Sequence, residues 1–171
     1  MWFDRILCLA NSYKHDHRCV AGMSLITKKW IRLVGRQVPG CLTRRETSYP
    51  DGTEVALLDV FEAEFDEKCG TSFHPEDIYV NRNRWRRIRR FDEPSDARRL
   101  LGFISNDQSV LQGYDDSVSA SSVMESPLER SLELIHTLRT FGGGFGRTGA
   151  NEGTVPFFAS THPAESATTW R

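Results

Sequence analysis

No run of apolar residues in this chain approaches the roughly 20 that a helix needs to cross a bilayer, and no membrane partner is expected. Cysteine is sparse. The four are Cys8, Cys19, Cys41 and Cys69, and no two form the Cys-x-x-Cys of a structural zinc site. The start of the chain lacks the pattern of an export signal. Charge comes at Asp4 and Arg5, and the short apolar run Ile6–Ala10 has no small-residue cleavage site behind it. A cytoplasmic chain with reduced thiols follows as the expectation, with Cys8 and Cys19 acting as small buried hydrophobes. A serine elbow, a dinucleotide fingerprint and a phosphate-binding glycine loop are all missing. Gly142-Gly143-Gly144-Phe145-Gly146 lacks the Lys-Ser/Thr of such a loop, and no clear strand precedes it. Nothing implies a cofactor, and there is no internal repeat.

What is present is ordinary in amount and uneven in placement. Apolar residues make up 39% and charged residues 26% of the 171 positions, which suits a globular chain rather than a disordered one. Net charge is −1, so the whole molecule exerts no long-range pull on nucleic acid. Its blocks differ sharply. Residues 1–50 hold nine Lys/Arg against three Asp/Glu, 51–81 hold one against nine, and 82–99 hold eight against three. Such blocks build separate basic and acidic faces, or they pair opposite charges across neighbouring strands.

Hydrophobic patterning predicts a mostly β protein. Strands are expected at Arg5–Ala10, Cys19–Ile26 and Trp30–Val34. Asn11–Arg18 reads as a polar break, and Thr27-Lys28-Lys29 as a polar turn that makes the second and third strands a hairpin. Gly22 marks a bulge or a close backbone approach. Glu54–Phe65 is the clearest strand, followed by Ile78–Val80 and an arginine-rich stretch built around Trp85, Ile88 and Phe91. A short helix is expected over Pro94–Phe103, capped by Asp92 or Ser95. Residues 105–126 read as loop, 128–138 as strand or helix, and 141–171 as a weakly structured tail.

Three groups of residues are candidates for chemistry. Arg82, Arg84, Arg86, Arg87, Arg89 and Arg90 surround Trp85. Arginine forks grip phosphate, and an indole stacks on a base. The alternative is a solvated strand whose arginines pair with Glu62, Glu64, Asp66 and Glu67. In His15-Asp16-His17-Arg18-Cys19 the alternation of His and Cys suits metal, yet the ligand set is incomplete, so no bound metal is expected. Asp59, inside an apolar strand, pairs with His74 as a general base or anchors a loop by accepting hydrogen bonds. The anchor is favoured.

The residues Arg5–Ser12, Lys14, Arg18-Cys19-Val20-Ala21-Gly22 and Trp30-Ile31-Arg32 resemble the opening of the dual OB-fold-containing domain family of prokaryotes. Glu54, Leu57-Leu58-Asp59-Val60, His74-Pro75-Glu76 and Trp85 extend the likeness over about residues 4–135. The resemblance implies two small β-barrels that bind nucleic acid or nucleotides, with no catalytic residues. Two departures stand out: His17 replaces an expected glycine, and the chain after Leu132 is too short and glycine-rich for a second barrel. The expectation is therefore one OB-like barrel over 3–92, then a short helix, a loop and the start of an incomplete second barrel over 93–140, truncated or diverged thereafter.

The expected function is non-catalytic binding of single-stranded nucleic acid or nucleotides. Lys14, Arg18 and Arg32 would contact phosphate, Trp30 would stack, and Arg84, Trp85 and Arg86 would form a second contact. Two alternatives are a metal-assisted phosphoesterase using His15, His17 and Asp59, and a protein-interaction module without a nucleic-acid ligand.

Overall fold

The computed structural model describes residues 1–14, 17–37, 40–81, 85–104, 119–135 and 157–160. Its strands are β1 (Trp2–Lys14), β2 (His17–Ser24), β3 (Trp30–Val34), β4 (Asp59–Lys68), β5 (Asp77–Val80), β6 (Arg86–Arg90), β7 (Leu132–Ile135) and β8 (Phe157–Ser160). Two short helices, α1 (Pro94–Leu101) and α2 (Ala120–Glu125), complete the described elements. Hydrogen-bonded neighbours run β1-β2-β3-β5-β4, and β4 pairs back onto β1, so five strands close into a barrel. The β3–β5 contact is the parallel one, and β6 adds to β4 beyond the barrel. Among the described residues no helix is long and apolar enough to cross a membrane.

The mostly β expectation is met, and the barrel's construction explains the sequence pattern. Successive side chains of a strand point to opposite faces. In β1, Ile6 and Cys8 enter the barrel interior beside Val20, Ile31, Leu33, Phe61, Phe65 and Ile78. Leu7 and Leu9 turn outward, where they join Met23, Val60, Phe91 and Leu134. The β1 run is apolar throughout because both of its faces are covered. Trp30, Leu100 and Phe103 pack against this outer cluster, so α1 and the chain after it roof one side of the barrel. Gly22 lies opposite Cys8 where the β1–β2 register shifts. A Cβ there would come within 2.0 Å of the Leu7 carbonyl oxygen, so the close-approach reading holds.

Several boundaries moved. Asn11–Lys14, read as a break, continues β1 in pairing with Val20 through His17. The strand expected from Glu54 begins at Asp59. Residues before it form irregular chain, in which Ser48 bridges Glu54 and Val55 sits in the core. The helix cap is Glu93 rather than Asp92 or Ser95, with Pro94 in the first turn. The supposed loop contains α2, whose N-cap Ser119 accepts from the Ser122 amide at 3.1 Å. Within the supposed tail, Phe157–Ser160 pairs with Leu132–Ile135 as a two-stranded sheet. The rest of 141–171 lies outside the described residues.

The segment 119–134 is seated on the β4–β5 loop, Cys69–Glu76. Ser131 donates its amide to Glu76 at 3.2 Å and its hydroxyl to the same carboxylate. His74 Nδ1 lies 2.9 Å from the Ser131 Oγ. The Leu128 amide reaches the Ser72 carbonyl at 3.3 Å, while Val123 and Leu128 pack with Phe73.

Candidate functional site

The arginine strand comes first, because it carries the densest charge. Each arginine of β6 is matched by a carboxylate. Arg86 reaches Glu62 at 2.9 Å, Arg87 reaches Asp59 at 3.0 Å, and Arg89 grips Asp96 with both ends of its fork at 2.6 and 2.8 Å. Arg90 lies 3.6 Å from Asp59. The cross-strand register explains most of this, since Glu62 stands opposite Arg86 and Asp59 opposite Arg90. Ile88 is the extra residue of a bulge between Arg87 and Arg89, and it is exposed rather than packed. Asp96 is held down to about 2, first by the Arg89 hydrogen bond, so this pair is ionised at neutral pH.

Trp85 cannot serve as a stacking platform. It is 1% exposed and lies against Phe61, ring centroids 4.7 Å apart, inside the barrel core. Its apolar mass fills the barrel beside β6 while Arg86, next to it, is exposed. Arg82 and Arg84 lie outside the described residues.

Asp59 is fully buried and acts as an anchor. Its carboxylate accepts from the Tyr49 hydroxyl at 3.1 Å and the Ala56 amide at 3.0 Å, besides the two arginines. Its expected partner His74 is instead beside Ser131. These contacts leave Asp59 placed as a structural acceptor rather than a base. Among the described residues no three His, Cys, Asp or Glu are grouped to hold a metal ion. His17 is half-buried with an Nδ1 that has no hydrogen-bond partner, and His15 lies outside the described residues.

The barrel-face candidates separate. Lys14 ends β1 opposite His17; its side chain lies outside the described set. Arg18 pairs with Glu54, its guanidinium 4.8 Å from the Tyr13 ring centroid. Arg32 is clamped by Asp77 across the parallel β3–β5 pair at 2.5 and 2.7 Å. Both arginines are thus engaged by carboxylates. Trp30, at the start of β3, is half-buried and faces a groove.

That groove, about 560 Å³, lies where the β2–β3 turn meets the β4–β5 loop. Lys28, Lys29, Trp30, Lys68, Pro75 and Arg130 are among its lining residues. Lys28, Lys29 and Lys68 are exposed and form no ion pair among the described residues. Two of the lining acids have structural duties: Asp4 accepts from the Ser24 hydroxyl at 2.8 Å, and Glu76 holds Ser131. Glu129, exposed, is the third lining acid.

The turn that carries the lysines is closed by several hydrogen bonds. Ser24 Oγ accepts from the amides of Ile26 and Thr27, the Ser24 amide meets the Lys29 carbonyl at 3.0 Å, and Lys28 adopts φ +59°. Sequence reading treated this segment only as a polar turn. The available signal was the pair of lysines immediately before Trp30.

In five-stranded OB barrels the face of strands 2 and 3 and the loops joining strands 1–2 and 4–5 bind oligonucleotides. Here the strand 2–3 face is roofed in part, and the groove at Trp30 is the opening it shares with the β4–β5 loop. A family model described as a dual OB-containing domain matches residues 4–143. No curated protein and no solved structure matches the chain.

Proposed function

Because the chain belongs to the dual OB-containing domain family, we propose that it is a non-catalytic binding module for single-stranded nucleic acid or its component nucleotides, with Trp30 and the lysines of its groove as the contact surface. The observation that carries this reading is the combination of two accessible indoles, Trp30 and Trp2, with Lys28, Lys29 and Lys68, none in an ion pair among the described residues. A sequence-tolerant single-strand site needs a π-face for bases and free positive charge for the backbone. The groove supplies both at the loop that OB barrels use for oligonucleotides. Arg18 and Arg32 then serve as struts: each crosses between barrel segments to a carboxylate, and their charge is balanced locally. Asp59, with its oxygens already accepting protein donors, supports no phosphoesterase reading.

The test is fluorescence anisotropy with labelled oligothymidylate, the matching duplex and labelled mononucleotides, at low and moderate salt. Trp30→Ala should weaken single-strand binding by about 1–3 kcal/mol, the usual worth of a stacked base. Absence of single-strand and nucleotide binding at low salt would end this reading and leave a protein-interaction module in its place.

A further inference from the structure

Lys28 also lines a second opening. A groove of about 440 Å³ runs between the β2–β3 turn and helix α1, lined by Leu25, Lys28, Arg89, Phe91, Arg99 and Phe103 together with Gly102. Three of these side chains are cations and two are aromatic, and no carboxylate is among them. Asp96 stands behind, engaged with Arg89 and 3.8 Å from Arg99. Asp92 and Glu93 act on Arg89 from farther off, and neither lines the groove. Counting Asp96 against the three cations leaves the opening with about two positive charges.

Arg89 is positioned before any ligand arrives. Its fork is fixed on Asp96, one Nη1 hydrogen reaches the Arg90 carbonyl at 3.0 Å, and the guanidinium lies 4.4 Å from the centroid of Phe91. An arginine has five N–H donors, and these contacts use three. The other two have no protein partner among the described residues. Lys28 is fixed at its backbone by the turn and extends over Phe103, its ammonium 5.4 Å from the ring centroid. Arg99 is exposed and only loosely held. Spare N–H donors, two uncompensated cations and a low-dielectric aromatic floor are what a phosphate group requires.

We propose that this groove between the β2–β3 turn and α1 is a phosphate subsite, in which Arg89 and Lys28 hold the phosphate oxygens and Arg99 closes over them. The proposal rests on the single-strand or nucleotide reading for its biological ligand. Lys28, lining both grooves, places this subsite next to the Trp30 groove, so that a base at Trp30 and a phosphate near Phe103 belong to one bound chain.

The full chain titrated with inorganic pyrophosphate, followed by NMR shifts of backbone amides, tests the subsite without nucleic acid. Shifts should concentrate at Lys28, Arg89, Arg99 and Phe103. The double variant Lys28→Gln/Arg99→Gln should weaken pyrophosphate at least tenfold, while Arg86→Ala, at an exposed arginine that does not line the groove, should leave it unchanged. The same double variant should flatten the log–log salt dependence of oligothymidylate binding by about 1.4, at about 0.7 per lost phosphate contact on a single strand. Labelled mononucleotides and oligothymidylate form separate arms, so a free nucleotide and a strand backbone are told apart. Amide spectra of each variant check the fold, and Arg99→Gln alone repeats the test without touching the turn.

Pyrophosphate that fails to bind, or binds the double variant as well as the parent, would overturn the subsite. If oligothymidylate still binds in a Trp30-dependent way, the proposed function survives that loss. Conversely, pyrophosphate binding that needs Lys28 and Arg99, with no strand binding at any salt, upholds the subsite and removes the strand reading.

Discussion

Two basic regions of this chain differ in what surrounds them. Strand β6 concentrates four arginines in five residues, and each is met by Glu62, Asp59 or Asp96. The β2–β3 turn has only Lys28 and Lys29, and neither forms an ion pair among the described residues. Three of the four are balanced by Asp59 and Glu62 of β4, within the acidic block of residues 51–81, and Arg89 by Asp96 of α1. The sparser charge faces open grooves on both sides. Charge density along a sequence therefore says little about charge available to a ligand, because strand pairing decides which acids stand opposite which bases.

The same contrast holds for the two tryptophans that flank these regions. Trp85 belongs to the core and Trp30 to a surface groove. The sharpest way to break the comparison is Trp85→Ala. Emptying that site beside Phe61 should cost about 3–5 kcal/mol of stability by urea denaturation. A variant that keeps parental stability but loses ligand would return Trp85 to the binding surface.

Next in size is Asp59→Ala. It leaves the Tyr49 hydroxyl, the Ala56 amide and Arg87 without their shared acceptor. A loss of about 3 kcal/mol is expected, measured by the shift of the urea midpoint at unchanged slope. A loss below about 1 kcal/mol would mean that the β6 arginines do not depend on this carboxylate, and that their charge is freer than its geometry implies.

The lysine side of the comparison is tested at smaller scale. Lys29→Gln with Lys68→Gln should flatten the salt dependence of single-strand binding by about 1.4 on a log–log plot. Thermal midpoints should move little, because both side chains are exposed and make no ion pair among the described residues. An unchanged slope would show that the Trp30 groove does not meet the backbone of the ligand.

How much of this was legible in sequence depends on which atoms decide each feature. Trp30–Val34 was readable to the residue, because alternation and β-branching coincide there. The inward and outward halves of β1 were not separable, since Ile6 and Cys8 face one cluster and Leu7 and Leu9 another, and all are apolar. Asn11–Lys14 looked like a break because its side chains are polar, but its strand character comes from backbone pairing with Cys19 and its neighbours. Helix α2 lay within a serine-rich stretch, with Ser119 as a cap and Val123 as its one buried residue, a signal too short to stand out. In the site, Trp30 was recognised as a candidate. Arg18 and Arg32 were expected to meet phosphate, yet Glu54 and Asp77, distant in sequence by 36 and 45 positions, meet them instead. Such long-range pairings have no local signature.

The smallest expected effect is the most direct test of the contrast. Arg86 is exposed, and its pair with Glu62 is solvent-screened, so Arg86→Ala should change stability by no more than about 0.5 kcal/mol. If the Arg86 end of β6 is a balanced face, the same variant should leave single-strand affinity within about twofold and the salt slope unaltered. Glu62→Gln provides the reciprocal experiment, since it frees Arg86 without removing it. Should the Arg86 end of β6 lie outside the ligand path, that variant gains only the weak, long-range benefit of one less negative charge, which vanishes once salt shortens the screening length to about 10 Å. Should β6 lie in the path, Glu62→Gln tightens binding and steepens the slope, and Arg86→Ala flattens it. Opposite responses from these two neighbours would make the arginine strand the binding face and the lysine turn its bystander.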